Sequence, residues 1–192
     1  MAERLTGGRP DRQPRRRTRE TAQVNVPLEV ELTPEQRTRE FFEQDVTKLA
    51  DAIKGRLIVS VDDQKMVRID ECQGWPASSV GDRYTTQKNN LHLRDLPVGT
   101  MGVWRLPVRR MSQALISAKS GEEMGACVRF LRASSYDPDT KEFTKMPNEG
   151  DIVKYLGLED NEAVRLKFID TTGILYFNRA EGANRPEAQA KP

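Results

Sequence analysis

The stretch Val67-Arg68-Ile69-Asp70-Glu71-Cys72 decides how the chain is interpreted, because it has the pattern of a β-strand with a carboxylate on its apolar face. Side chains alternate along a strand, so Glu71 is predicted to lie with Val67 and Ile69, while Asp70 points to the opposite side. An isolated buried charge is costly. A glutamate in this position must therefore be paired, lie at the end of the strand, or serve a chemical purpose.

The segments around this strand predict an α+β domain. Residues 56–61 and 65–72 are expected to form a hairpin around Asp62-Asp63-Gln64. Further strands are predicted over residues 101–106, 126–133, 163–169 and 173–177. Helices are predicted over residues 34–43, with a capping box of Thr33 and Gln36, over residues 46–53, with Asp45 as the cap, and over residues 109–118 and 149–156. Helices that bracket hairpins without regular βαβ spacing indicate a curved, mostly antiparallel sheet flanked by helices.

The remaining sequence predicts three regions. Residues 1–32 are a basic, extended tail, residues 33–180 form a single domain, and residues 181–192 are a polar, disordered tail. Within the domain, residues 134–146 are expected to be a linker. No apolar run approaches the roughly 20 residues needed to span a bilayer, which excludes an integral membrane protein of the helical kind.

Positive charge is concentrated in two regions of the chain. Residues 1–22 carry seven arginines against three acids, a net charge of +4, and residues 83–133 carry nine basic residues against three acids, a net charge of +6. This distribution predicts a polyanionic partner, RNA or DNA, that meets the tail and one face of the domain. The candidate phosphate contacts are Arg15, Arg16, Arg17, Arg105, Arg109 and Arg110. The alternative is that these arginines belong to a solvated tail and a solvated face.

Cysteine and histidine usage limits the chemistry. Cys72 and Cys127 both lie in predicted strands and suggest no disulfide framework, so a reducing compartment is expected. With His92 as the only histidine, no zinc site, no other metal site and no cofactor is predicted. The arginine-rich tail is compatible with the mitochondrial matrix, although its acids and its lack of an apolar face weaken a targeting role.

Five segments resemble, in the same order, the alkyladenine DNA glycosylase family, also known as DNA-3-methyladenine glycosylases. Residues 41–59 are similar to the family's opening "FF…LA…LLG…LV", and residues 68–72 resemble the strand that ends "VETEAY". Residues 98–104 are similar to "PGTLYVY", residues 125–133 to "GACVLLRAL", and residues 150–158 to "GPGKLxxALGI". The resemblance covers residues 41–158, most of the predicted domain.

The resemblance implies a site that flips a damaged purine out of duplex DNA and hydrolyses its glycosidic bond with an activated water. Such chemistry needs a carboxylate base, aromatic walls and a wedge that replaces the base in the stack. Glu71 falls at the family's general base, and Trp104 keeps one aromatic residue. The other pocket positions depart from the family pattern. They are Cys72-Gln73, Ser79, Pro107 and Ala114.

Three functional interpretations follow. The first is a noncatalytic, nucleic-acid-associated protein with protein neighbours in a ribonucleoprotein, such as an organellar ribosome, in which Glu71 is a relic. The second is an active base-excision glycosylase that uses Glu71 as general base and Trp75 or Trp104 as its stacking surface. The third is a protein-interaction module whose resemblance is accidental. In the simpler structural interpretation, Glu71 is a strand-end carboxylate paired with Arg68, Arg105 or a backbone amide, and Trp104 is a partly buried core residue.

Overall fold

A curved sheet surrounds the hydrophobic core. The computed structural model describes residues 33–80, 91–106, 111–169 and 172–179. These residues contain three helices and one nine-stranded sheet, so the predicted α+β architecture is confirmed. The helices are α1 Pro34–Phe42, α2 Val46–Ile53 and α3 Glu149–Tyr155. The strands are β1 Leu57–Ser60, β2 Lys65–Trp75, β3 Thr100–Leu106, β4 Met111–Ser120, β5 Glu123–Asp137, β6 Glu142–Lys145, β7 Ala163–Arg165, β8 Lys167–Phe168 and β9 Leu175–Phe177.

The sheet curls until its two ends nearly meet. Its strand order is β7-β3-β4-β5-β2-β1-β9-β8, with β6 beside β5. Strands β7 and β8 stand at opposite ends of this order, yet only Leu166 separates them along the chain. Because β7 pairs with β3 and β8 pairs with β9, one bent stretch of chain connects both ends. All pairings are antiparallel except that of β1 with β9.

The first two helices begin as the sequence predicts. Thr33 caps α1 through a reciprocal capping box with Gln36, and Pro34 occupies the first turn. Asp45 caps α2 by accepting a hydrogen bond from the backbone N–H of Thr47. No helix in the described part of the chain is long and apolar enough to cross a membrane.

The core lies inside the curved sheet, with a smaller apolar cluster outside it. All three helices contribute to the inner core. The inward strand residues include Ile58, Val67, Ile69, Met101, Val103, Ala114, Ile116, Val128, Phe130, Leu175 and Phe177. The outer cluster contains Leu93, Trp104, Leu106, Leu115 and Cys127. The central strands β3, β4 and β5 are therefore buried on both faces.

Burial on both faces explains why the predicted helix over 109–118 is wrong. Residues 111–120 form β4, which pairs with β3 on one side and β5 on the other. Its inward residue Ile116 and its outward residue Leu115 are both fully buried, so the sequence shows an apolar run instead of strand alternation. Tertiary pairing overrides the helix propensity of its alanines and leucine.

The predicted linker over residues 134–146 is also wrong. Strand β5 continues to Asp137, and β6 returns beside it as a hairpin that packs Phe143 against Tyr136. Strand β6 is mostly exposed, so it lacks an apolar face that the sequence could reveal. The predicted strand over residues 163–169 corresponds to β7 and β8.

One arginine joins the helices to the β8–β9 turn. The guanidinium of Arg56 donates hydrogen bonds to the carbonyl oxygens of Ala52, at 2.7 Å, and Gly173, at 2.9 Å. It also lies 4.7 Å from the ring centre of Phe41 and 5.4 Å from that of Phe168. These contacts connect α1, α2 and the end of the sheet through a single cation.

One carboxylate at the amino end of α3 connects the helix to β4 and β5 by hydrogen bonds. Glu149 accepts hydrogen bonds from Arg129 at 2.7 and 2.8 Å and from the Gln113 amide at 2.7 Å. The side chains of Arg129 and Glu149 are only 16% and 17% exposed. Because the β4–β5 pairing ends at the Leu115–Arg129 pair, this carboxylate bridges the two strands where they diverge.

Candidate functional site

Glu71 does not lie on the interior face, so the predicted alignment with the core is wrong. Two β-bulges flank it in the register of β2 with β5, one leaving Asp70 unopposed and the other leaving Leu131 unopposed. A bulge inserts one residue and interrupts the alternation of faces. Cys72 therefore packs against the core, and its thiol donates to the carbonyl oxygen of Ala50 at 3.0 Å.

The surroundings of Glu71 are those of a surface ion pair. Its carboxylate lies 3.3 Å from Nε of Arg132, the residue opposite it on β5, and the two side chains are 46% and 78% exposed. Glu71 therefore has an arginine partner, as expected, but the partner is Arg132 and not Arg68 or Arg105. Glu71 is not in the lining of the three best-formed cavities of the described residues. Its carboxylate is instead half-exposed and paired at the surface, whereas a general base that acts on a flipped purine works inside a closely fitting pocket.

Asp70 belongs to a separate polar cluster on the outer face. It accepts hydrogen bonds from Arg68 at 2.7 Å and from the Ser134 hydroxyl at 2.5 Å. Burial opposes ionisation of Asp70, but these two hydrogen bonds outweigh it and lower its pKa below the ordinary value. The cluster ties β2 to β5 and leaves Asp70 and Glu71 with different partners.

Trp104 is a core residue. Its side chain is 1% exposed, and its indole N–H donates a hydrogen bond to the carbonyl oxygen of Leu91 at 2.8 Å. The interpretation of Trp104 as a base-stacking surface is wrong, because no face of the ring is accessible. Trp75 packs against the same outer cluster, and the Arg129 guanidinium lies 5.1 Å from its ring centre.

The predicted phosphate contacts are only partly within the described residues. Arg105 is 68% exposed and lies 3.6 Å from the Asp160 carboxylate, an exposed and weak ion pair. Arg105, near the end of β3, and Arg132 on β5 therefore both present exposed positive charge. The other candidates, Arg15, Arg16, Arg17, Arg109 and Arg110, lie outside the described residues.

The best-formed concave site is a groove between α1 and strands β7–β9. Its volume is about 430 Å³. Apolar side chains at its base include Phe42, Val98 and Phe168. Its polar lining comes from Glu35, Thr38, Arg39, Glu43, Arg165, Lys167 and Tyr176. None of these residues was predicted as a site from the sequence.

The strand register brings two cations and one aromatic ring together on one wall of this groove. Leu166 is fully buried, so its neighbours Arg165 and Lys167 both point outward. Lys167 lies directly opposite Tyr176 in the β8–β9 pair. Burial lowers the pKa of Arg165, but an arginine stays protonated at neutral pH. The Arg165 guanidinium donates to the Thr100 hydroxyl at 3.4 Å.

The opposite wall of the groove carries acidic residues from α1. Glu43 accepts a hydrogen bond from Arg39 at 2.7 Å, and Glu35 lies in the first turn of the helix. The strand side of the groove therefore carries two cations, whereas the helix side carries two carboxylates and one cation, Arg39, which is paired with Glu43. Such an arrangement suits a ligand that has an anionic end and a flat end with hydrogen-bond donors.

Comparisons with known proteins find no match to any family model, curated protein or solved structure. The resemblance to alkyladenine DNA glycosylases accordingly stays a prediction.

Proposed function

We propose that this protein is a noncatalytic, nucleic-acid-associated protein. The observation that carries the proposal is the outward cationic pair Arg165 and Lys167 beside the ring of Tyr176. Cations bind phosphates, and aromatic rings stack with bases, which is the usual composition of a surface that binds single-stranded nucleic acid. The exposed arginines Arg105 and Arg132 add further positive charge.

The assembly we favour is a ribonucleoprotein, such as an organellar ribosome, with protein neighbours. The arginine-rich sequence of residues 1–22 supports this proposal, since a net charge of +4 in a short segment favours contact with a polyanion. In this proposal the domain derives from a glycosylase-like ancestor. Glu71 is then a relic of the general base, now paired with Arg132 on the surface.

Nucleic-acid binding by the full chain is expected to weaken steeply with salt. Fluorescence anisotropy with a labelled single-stranded oligonucleotide should give a straight line of log K against log salt, with a slope of about −0.7 for each phosphate contacted. Replacing Arg105 and Arg132 together by glutamate should reduce both the affinity and the slope. Lys48→Glu, on the exposed face of α2, serves as the control. Salt-independent association, or no association, would contradict the proposal.

Base excision is expected to be absent. Duplex DNA that contains an alkylated purine should keep its glycosidic bond during incubation with the purified protein, because the Glu71 carboxylate is half-exposed and paired with Arg132 at the surface. The Glu71→Gln variant should behave as the parent does. Release of the damaged base that Glu71→Gln abolishes would instead establish a glycosylase.

A further inference from the structure

We propose that the groove between α1 and β7–β9 holds one unpaired nucleotide of a single-stranded nucleic acid. In this arrangement the base rests against Tyr176 and the apolar floor, and the two flanking phosphates meet Arg165 and Lys167. The inference rests on the proposed function and names the site and the form of nucleic acid that the protein takes.

The cationic wall has the spacing of a backbone-tracking site. Arg165 ends β7 and Lys167 begins β8, so the two cations flank the buried Leu166 and their α-carbons lie at most about 7 Å apart. Both belong to strands that pair with neighbours, β7 with β3 and β8 with β9, so the backbone fixes their positions. A fixed row of cations contacts successive phosphates of an extended strand better than a single mobile lysine does.

The apolar part of the groove fits a base. Tyr176 stands beside Lys167 across the β8–β9 pair, where directly opposed side chains lie about 5 Å apart. Phe42 and Phe168 are 2% and 4% exposed, so they form a firm floor. The volume of about 430 Å³ falls within the roughly 300–1,000 Å³ typical of small-ligand sites.

The acidic wall orients the ligand. The carboxylate of Glu35 on α1 repels phosphate but accepts hydrogen bonds from the amino groups of a base, whereas the charge of Glu43 is paired with Arg39. A nucleotide therefore enters with its phosphates toward β7–β8 and its base toward α1. A base within a duplex is already stacked and paired, so the groove selects single strands.

Two sets of variants separate the two halves of this site. Arg165→Gln with Lys167→Gln should lower the affinity of the full chain for a single-stranded octanucleotide by about tenfold or more and reduce the salt slope by about 1.4, the equivalent of two phosphates. Tyr176→Leu should lower the affinity by about tenfold without changing the slope, because stacking releases no counterions. Tyr176→Phe keeps the ring and should bind nearly as the parent does.

The outcomes distinguish this inference from the proposed function. Lys48→Gln is the control for charge, and thermal unfolding of each variant reports whether it is folded. If the octanucleotide binds and none of the groove variants weakens it, the groove assignment fails while the proposed function stands. If no oligonucleotide binds at low salt, both fail. Equal affinity for duplex and single-stranded DNA would also overturn the groove assignment. So would competition in which polyglutamate displaces the octanucleotide at a lower concentration than a second oligonucleotide does.

Discussion

Gly99→Ala is expected to destabilise the folded protein by about 2 to 5 kcal/mol, because two penalties act at one position. Gly99 has a φ of +81°, a conformation that L residues rarely adopt. A methyl group at this position would lie 2.5 Å from Cγ and 2.6 Å from Cδ2 of Phe42, a ring that is 2% exposed. Since Phe42 is packed in the core, it has little room to move.

Gly121→Ala is the matched control for this prediction. Gly121 also has a positive φ, +59°, but a methyl group there would meet no atom within 4 Å. Its cost should be limited to the conformational term of about 1–2 kcal/mol. Urea unfolding measures the stability of both variants, and equal losses of unfolding free energy would show that the contact with Phe42 is unimportant.

Because Phe42 and Val98 line the groove, Gly99→Ala should also weaken oligonucleotide binding.

Glu149→Ala is expected to cost about 3 to 5 kcal/mol of unfolding free energy. The substitution leaves the Arg129 guanidinium, 16% exposed, without its carboxylate. It also removes one hydrogen-bond acceptor of the buried Gln113 amide. An uncompensated charge in a largely buried site accounts for most of the loss, and urea unfolding is the measurement.

Two comparisons isolate the effect of the unpaired charge. Arg129→Met combined with Glu149→Leu should be less destabilising than Glu149→Ala alone, because it removes both charges and keeps apolar volume. Glu71→Ala breaks a cross-strand ion pair with Arg132 that is 46% and 78% exposed, and it should cost at most about 1 kcal/mol. Similar losses for Glu71→Ala and Glu149→Ala would contradict the assignment of Glu149 as a buried anchor.

The elements that the sequence predicts correctly are those whose signals are local. The Thr33–Gln36 capping box, the Asp45 cap and the turn at 62–64 each depend on a few adjacent residues. Strand β4 was predicted as a helix because its two buried faces erase the alternation, and only the neighbouring strands determine its structure. Strand β6 was missed because it is polar and held by pairing with β5 alone.

The site was less predictable than the fold. Alternation placed Glu71 on the interior face, and the bulges at Asp70 and Leu131, which depend on the pairing of β2 with β5, reversed that placement. The outward pair Arg165 and Lys167 could have been found, since residues 164–168 alternate apolar and polar side chains. The groove itself could not, because it arises where α1 packs against strands about 130 positions later, as in the hydrogen bond from the Phe168 amide to Thr38.

Closure of the sheet also has a consequence for synthesis of the chain. Ile58 of β1 pairs with Leu175 of β9, so one edge of β1 stays unpaired until the segment 117 positions later has been translated. Until then, a nascent chain can form the β1–β2 hairpin but exposes an open strand edge and part of its apolar interior. A chain that ends before Leu175 therefore leaves β1 without its parallel partner and β8 without its antiparallel partner, so two strand edges that β9 covers in the full sheet stay open to association with other chains.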